Sequence, residues 1–138
     1  MDPGHTTGWA LFVNGELERA GQILPAEGGG PDLLEHYKLI VFEAPDVLVY
    51  ERFALYAGKA QDLIHSTFPT VEAIGVIKLG VMLLHTPCEL VTYPAGTVKA
   101  FFTNDRLKEL GLLQQPAHEL RHANDALRHG CYYLVFGK

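Results

Sequence analysis

The sequence predicts one α/β domain in which helices flank a mixed central sheet. The chain has 138 residues, a length that builds one hydrophobic core and is too short for two domains. Its composition, 48% hydrophobic and 20% charged, is typical of a globular protein. The predicted order is a hairpin, a helix, a strand, a helix, a strand, short helices and a last helix, which indicates the α/β class. We predict that residues 1–138 form this single domain.

A β-hairpin is predicted near the start of the chain. Two short apolar runs, Thr7–Val13 and Glu18–Leu24, flank the dipeptide Asn14-Gly15. Asn-Gly favours the tight turn that joins neighbouring strands, so we expect the two runs to pair antiparallel.

A helix and a buried strand follow the hairpin. Asp32 can cap a helix that runs to about Leu39 or Val41. Val47–Tyr50 is then a short apolar run, with Glu51 directly beyond it, which is the pattern of a buried strand.

The most apolar helix is predicted to open at Thr70. It comprises Val71–His85 and is closed by Pro87. Lys78 is its only charge after Glu72, and a helix that is apolar almost all round is covered on two sides. We expect the sheet on one side, and a second copy of the chain is a candidate for the other.

Shorter elements and one long helix complete the chain. Glu89–Tyr93 is predicted to be a strand that ends at Pro94. Thr97–Leu110 is predicted to form one or two short helices closed by Gly111, and the last helix runs from near Ala117 to Phe136.

Two arcs of residues divide the surface of the last helix. The apolar arc comprises Leu120, Leu127, Cys131 and Leu134, and the polar arc comprises His118, His122, Asp125 and His129. Between the arcs lie the small residues Ala123, Ala126 and Gly130. They would let the helix lie close to the sheet, so that His122 and Asp125 face the strand ends. A solvated polar face fits the same spacing.

Charge, hydropathy and cysteine content narrow the classes of function. The net charge of -5 neither requires nor excludes a nucleic-acid partner, because bound divalent ions would reverse the sign at an acidic site. The longest apolar stretch, Ala73 to Leu84, falls short of the roughly 20 residues that cross a bilayer, and nothing apolar precedes Asp2. We therefore expect no membrane association. Two cysteines without metal-type spacing indicate a reduced, cytoplasmic compartment.

Three acidic motifs are the strongest functional signal. Asp2 opens the first, Glu51 ends a buried strand, and Asp125 follows His122 by about one helical turn. Carboxylates that converge are the ligands that divalent cations prefer, and such a site implies phosphodiester chemistry. Each motif alone has a simpler interpretation: a turn at Asp2, a salt bridge between Glu51 and Arg52, or an exposed polar pair on the helix. Their conjunction favours a metal site.

The motifs and the order of elements resemble the RuvC-like Holliday junction resolvases of the ribonuclease H-like superfamily. The motifs are DPG at residues 2–4 with TTGWA at 6–10, YERF at 50–53 and HANDALRH at 122–129. Short RuvC-like proteins of bacteriophages are similar in the same motifs. The resemblance covers essentially the whole chain and implies a ribonuclease H-like fold whose first strand is truncated, since only Met1 precedes Asp2. We expect Asp2 to lie on a loosely held terminus unless a short N-terminal segment is missing from this sequence, or another strand or a partner fills the gap.

By this resemblance, Asp2, Glu51, His122 and Asp125 are the catalytic residues and metal ligands. The site would hold two ions, Mg²⁺ or Mn²⁺, with Asp2 shared by both and Glu51 and Asp125 each binding mainly one. His122 stands where relatives carry either Asp or His, and it would bind a metal or orient the attacking water. An imidazole there favours Mn²⁺ over Mg²⁺.

The implied substrate is branched DNA, a four-way junction that a homodimer would cut by paired symmetric nicks. Candidate DNA-contacting side chains are Phe53, Tyr56, Lys99, Lys108, Arg121 and Arg128. The two aromatic residues could stack on an unpaired base, although core packing also accounts for Phe53. Solvation at the surface is the simpler interpretation of the basic residues. His5, His118 and His129 are interpreted as bystanders, and the expected location is the cytoplasm of a bacterial cell, with the host or a phage as the source.

Two other functions remain compatible with the same motifs. One is a less selective nuclease that cuts flaps, branched DNA or RNA–DNA hybrids. The other is a non-catalytic DNA-binding relative whose metal site has decayed. A phosphate-binding member of the actin and sugar-kinase group is excluded, because that fold needs two large domains.

Overall fold

A computed structural model describes residues 1–54 and 68–137 of the chain. The predicted order of elements is confirmed. Within the described residues the strands and helices are β1 Thr7–Val13, β2 Glu16–Ile23, α1 Leu33–Glu43, β3 Val47–Glu51, α2 Pro69–Met82, β4 Glu89–Tyr93, α3 Ala95–Phe101, α4 Asn104–Glu109 and α5 Arg121–Phe136.

The hairpin forms where the Asn-Gly dipeptide predicts it. Asn14 and Gly15 both have positive φ angles, 53° and 84°, as the tight turn requires. β1 and β2 pair antiparallel, and Val13 faces Glu16 directly across the turn. β2 therefore begins two residues earlier than Glu18, because a two-residue turn places the next residue in the ladder.

The second pair of strands is parallel and brings both carboxyl ends to one edge. β3 and β4 pair from Val47 with Glu89 to Glu51 with Tyr93. Parallel strands need a long connection, and α2 lies between them in the chain. The side chain of Glu51 consequently stands at the edge from which α3 also departs.

Met1 and Asp2 join the two pairs of strands into a mixed sheet. The Met1 backbone nitrogen donates to the Val49 carbonyl, and the Glu51 amide donates to the Met1 carbonyl at 3.1 Å. On the other side, Asp2 and Gly8 exchange backbone hydrogen bonds of 2.9 and 3.2 Å. The expectation of a loosely held Asp2 is therefore wrong: the residue is only 9% exposed and is held by both pairs.

Helices cover both faces of the sheet. On one face, α1 and α2 place Ile40, Ile77 and Val81 against Leu48 and Tyr50 of β3. On the other face, α5 packs on β1 and β3, and a second apolar cluster joins it to α3 and α4 through Phe12, Phe102, Leu107 and Cys131. None of the helices in the described part of the chain is both long and apolar enough to cross a membrane.

Two glycines allow α5 to lie directly on β1. A Cβ atom at Gly8 would overlap the carbonyl oxygen of His122, and a Cβ atom at Gly130 would overlap the Phe12 ring. The predicted close approach of the last helix to the sheet is confirmed. At Gly8 the overlap is with the backbone of α5, whereas at Gly130 it is with a side-chain ring.

The start of α5 differs from the prediction, and its cause lies in a distant strand. The helix begins at Arg121 rather than near Ala117, where the chain forms a turn. The Gln22 side chain of β2 accepts from the His122 and Ala123 amides at 3.0 and 3.4 Å and donates to the Glu119 carbonyl at 3.0 Å. A side chain nearly a hundred residues away thus satisfies the free amides of the first helical turn.

Other boundaries shift by a few residues. α1 continues to Glu43, where Ala44 adopts a left-handed conformation with φ of 38°. α2 runs from Pro69 to Met82 and so ends before the predicted His85. Proline is common at the first position of a helix, which Pro69 occupies. The segment predicted as one or two short helices forms two: α3 ends at Phe101, and Thr103 caps α4 by accepting from the Arg106 amide at 3.3 Å.

Substituting alanine for Gly8 is expected to destabilise the protein by about 1–3 kcal/mol, because the new methyl group must displace the first turn of α5. Urea unfolding followed by circular dichroism measures the change. Gly75→Ala is the matched control: nothing lies near its Cβ position in the interior of α2, so that variant should be unchanged or up to about 1 kcal/mol more stable. Equal stability of the two variants would contradict the packing of α5 on Gly8.

Candidate active site

The four predicted catalytic residues lie on three elements that meet at the carboxyl edge of the sheet. Asp2 follows Met1 beside β3, Glu51 ends β3, and His122 and Asp125 lie in the first turns of α5. His122 Nδ1 lies 2.7 Å from Asp2 Oδ2. The charges of Glu51 and Asp125 both act on the Asp2 carboxyl. The structure therefore brings these four side chains together.

Asp2 has the most perturbed carboxyl group of the site. Its pKa is raised to about 6, first by burial and further by the negative charges of Glu51 and Asp125, while the hydrogen bond from His122 acts in the opposite direction. The loop that follows is held by Thr7, whose hydroxyl accepts from the Gly4 amide at 3.1 Å. Asp2 is thus a buried acid in a region of concentrated negative charge.

His122 is fixed through both its backbone and its ring. Gln22 holds its amide, as described above, and the ring donates from Nδ1 to Asp2. Nε2 accepts from the Arg121 Nε at 3.3 Å. Gln22 was missed by sequence reasoning, because a polar residue in a strand gives no sign of which helix it will cap.

Asp125 is paired with two cations. Arg128 Nη1 donates to its Oδ1, and the Lys99 ammonium lies 2.9 Å from its Oδ2. Burial opposes the charge on Lys99, but the hydrogen bond to Asp125 and the charges of Glu51 and Asp2 raise its pKa overall. Lys99 is therefore part of the acidic site.

Arg128 lies inside the protein rather than on its surface. It is 8% exposed, and its Nε donates to the Phe102 carbonyl at 2.7 Å while Nη2 donates to Asn104 Oδ1. With Asp125, these bonds engage all three guanidinium nitrogens. In this arrangement Arg128 ties α5 to the junction of α3 and α4 and is not free to contact a phosphate, contrary to the DNA-binding role predicted for it.

A buried histidine accompanies Glu51. His129 is fully buried, and its Nε2 lies 3.5 Å from Glu51 Oε2. This contact lowers the pKa of Glu51, although burial of the carboxylate opposes it. His129, interpreted from the sequence as a bystander, therefore lies buried against the site. The available sequence signal was its position one turn beyond Asp125 on the same helical arc.

The remaining DNA-binding candidates stay predictions. Phe53 is 37% exposed and packs edge-on against Phe68, with ring centroids 6.2 Å apart. Lys108 and Arg121 are exposed on α4 and α5. Tyr56 lies outside the described residues.

The carboxylates and the histidine of the site could bind a divalent cation if Asp125 exchanged its ion pair with Lys99 for the metal. Among residues 1–54 and 68–137, no three His, Cys, Asp or Glu side chains are already arranged around a common metal position. Burial and mutual repulsion of Asp2, Glu51 and Asp125 nevertheless favour a cation, and carboxylate oxygens suit Mg²⁺ and Mn²⁺. A metal at Asp125 would have to displace Lys99, whose side chain is about half exposed.

Comparison with solved structures identifies the fold as ribonuclease H-like. Thermus thermophilus RuvC in complex with a Holliday junction substrate aligns with a TM-score of 0.63 and 16% identity, over 98% of this chain and 92% of that one. Another T. thermophilus RuvC structure gives a TM-score of 0.59 and 16% identity, over 97% and 93% of the two chains. The chain therefore has the RuvC-like fold that its motifs predict.

No family model matches the sequence, and no curated protein matches it either. At 16% identity, the likeness to RuvC establishes the fold. An activity for this chain has to be argued from its own side chains.

Asp2→Asn is expected to stabilise the metal-free protein at pH 8 by about 1–3 kcal/mol and to leave its stability near pH 4 unchanged. The folded-state pKa of Asp2, about 6, exceeds the model value of 3.8 for the free group. Its contribution to stability is therefore complete below pH 4 and is lost as pH rises through 6. Asparagine does not ionise, so the variant does not lose stability as the pH rises, and its side-chain oxygen can still accept the hydrogen bond from His122.

Urea unfolding in EDTA between pH 4 and 8 measures this effect. Asp46→Asn, which changes an exposed carboxyl group, serves as the control and should show no comparable dependence on pH. A difference between Asp2→Asn and the wild-type protein that is constant with pH would contradict the buried, charge-repelled state of Asp2.

Proposed function

We propose that this chain is a divalent-metal-dependent, structure-selective DNA endonuclease that resolves four-way junctions by paired symmetric nicks. The observation that carries the proposal is the convergence of Asp2, Glu51 and Asp125 at the carboxyl edge of the sheet, where burial first and then the charges of Glu51 and Asp125 raise the Asp2 pKa to about 6. The fold in which they converge is shared with a RuvC that was solved with a Holliday junction.

The residues of the site divide the work of phosphodiester hydrolysis. Two bound ions, Mg²⁺ or Mn²⁺, would supply a hydroxide nucleophile and neutralise charge on the phosphate and the leaving oxygen. Asp2 would be the ligand shared between them, with Glu51 and Asp125 each holding mainly one. His122, already bonded to Asp2, would complete the ligand set or orient the attacking water.

Lys99 connects the site with the DNA backbone. Its ammonium group pairs with Asp125 Oδ2 and remains about half exposed. A cation bound at Asp125 would displace Lys99, which would then lie beside the site with a DNA phosphate as a suitable partner. The predicted roles of Asp125 as a ligand and Lys99 as a DNA contact are therefore compatible. Lys108 and Arg121 would extend the contact, and Phe53 and Tyr56 would meet unpaired bases.

Two symmetric nicks require two active sites related by a twofold axis, and hence a homodimer. Large apolar side chains on the outer surface of α1 and at the end of α2 support this arrangement. Phe42 is 88% exposed, Met82 79% and Leu83 55%. Exposed apolar residues in such a group are typical of a protein interface. The expected setting is the bacterial cytoplasm.

A non-catalytic DNA-binding protein is the second candidate, and a specific observation favours it. Both oxygens of Asp125 are paired, one with the buried Arg128 and one with Lys99. In a protein that no longer binds metal ions, the side chains of Arg128 and Lys99 would neutralise Asp125 in their place. The two candidates differ in one measurable property, the cleavage of bound DNA.

Incubation of labelled four-way junctions, flaps, duplex DNA and RNA–DNA hybrids with Mg²⁺ or Mn²⁺ tests the proposal. We expect paired symmetric nicks in junctions, and a loss of at least about a hundredfold in rate for Glu51→Gln, which removes one ligand charge. Glu89→Gln is the matched control, because Glu89 lies at the opposite end of the same parallel pair of strands and should retain full activity.

The other outcomes identify the alternatives. Tight junction binding without cleavage in either metal supports the non-catalytic protein. Faster cleavage of flaps or hybrids than of junctions supports the less selective nuclease. Equal activity of Glu51→Gln and Glu89→Gln would remove Glu51 from the catalytic site.

His122 is expected to make the enzyme faster in Mn²⁺ than in Mg²⁺, because imidazole binds Mn²⁺ more readily. His122→Asp should shift the preference toward Mg²⁺, since it offers a hard oxygen ligand instead. The ratio of single-turnover cleavage rates in the two metals measures the preference. A wild-type rate that is clearly higher in Mg²⁺ would show that His122 does not act as a ligand.

A further inference from the structure

A buried histidine and a buried carboxylate oxygen face each other behind the acidic site. His129 has 0% exposure, and Glu51 Oε2 is the atom closest to its Nε2 among their polar groups, at 3.5 Å. Within the described part of the chain, Glu51 Oε2 and both ring nitrogens of His129 are buried and have no hydrogen-bond partner. Each group therefore has the other as its available partner.

Packing alone does not explain why an imidazole occupies this buried position. Buried polar atoms without partners are unfavourable, and an apolar side chain of similar size would fill the same space without that penalty. Burial also lowers the pKa of His129 and so favours the neutral imidazole, a form that carries one N–H group. That single N–H can serve the one acceptor that it faces.

The two carboxylate oxygens of Glu51 differ in their exposure to solvent. The side chain as a whole keeps 28% of its exposure, while Oε2 is inaccessible. Oε1 is consequently the oxygen that an incoming ligand can reach. Rotation of the carboxylate would exchange the two, unless a donor on α5 holds Oε2 in place.

We propose that His129 is the positioning residue for Glu51, holding Oε2 through its Nε2–H so that Oε1 is presented to a divalent cation. The inference rests on the proposed function, because it assumes that Glu51 is a ligand. At 3.5 Å the contact is longer than an ordinary hydrogen bond. We expect it to shorten when Glu51 binds the cation. Donors of this kind, which orient a metal-bound carboxylate, typically change metal affinity by about 10- to 100-fold.

Isothermal titration with Mn²⁺ alone, without DNA, tests the assignment. His129→Leu removes the donor and should weaken binding about tenfold, whereas His129→Gln keeps an N–H donor and should restore most of the affinity. The same His129→Leu change is then made in the Glu51→Gln protein. There it should alter Mn²⁺ affinity less than twofold, because the carboxylate that it positions is gone.

The outcomes separate the inference from the function on which it rests. A His129→Leu effect of equal size in both backgrounds, or unchanged affinity in that variant, overturns the positioning role while leaving the metal site intact. A wild-type protein that does not bind Mn²⁺ overturns the proposed function together with the inference. His118→Leu, which removes an exposed histidine, should bind Mn²⁺ like the wild type.

Nitrogen NMR of the histidine rings in the wild-type protein covers the case in which His129→Leu fails to fold. We expect the neutral Nε2–H form of His129, with its ring proton shifting downfield and exchanging more slowly when Mg²⁺ is added. A proton on Nδ1, or a ring signal that does not respond to Mg²⁺, would overturn the proposal.

Discussion

The contact between α5 and β1 at Gly8 is the constraint on which the candidate site depends. The His122 carbonyl occupies the space that any larger residue at position 8 would fill. Gly8 also pairs with Asp2 through two backbone hydrogen bonds, so one small residue fixes both the helix and the first carboxylate. The Gln22 cap sets where the helix begins. These interactions bring His122 and Asp125 to the edge where Asp2 and Glu51 stand.

The negative charge gathered at this edge is compensated differently at each carboxylate. Asp2 has a raised pKa and accepts a hydrogen bond from His122. Asp125 is paired with Arg128 and Lys99, and Glu51 faces the buried His129. Acidic groups held so close together lower the stability of the folded protein. Proteins retain such clusters at sites where the acids bind a ligand or take part in catalysis. The exposed Lys99 is the compensating group that can move most easily, since Arg128 is held by three acceptors.

Local signals in the sequence predicted most of the fold. Asn14-Gly15 specifies a tight turn by its own backbone preference, and Asp32 caps α1 by accepting from the Glu35 amide three residues away. The resemblance of their motifs to those of RuvC-like proteins grouped Asp2, Glu51 and Asp125. Neither the Gln22 cap nor the contact of His129 with Glu51 could be predicted in this way. Both contacts depend on which strand lies beside α5 and on how far the helix is shifted along that strand. Tertiary packing determines this arrangement.

The place of Asp2 in the sheet couples the site to the stability of the whole fold. Met1 and Asp2 bond to β3 on one side and to β1 on the other, and next to Met1 a cavity of about 420 Å³ separates the two strands. α5 spans the same gap, since it packs on both β1 and β3. Any movement that widens the gap would draw Asp2 and Glu51 apart, because Asp2 is bonded to Gly8 of β1 and Glu51 belongs to β3. The distance between these two carboxylates therefore reports on the integrity of the sheet, and a cation bound by both would hold the two halves of the protein together.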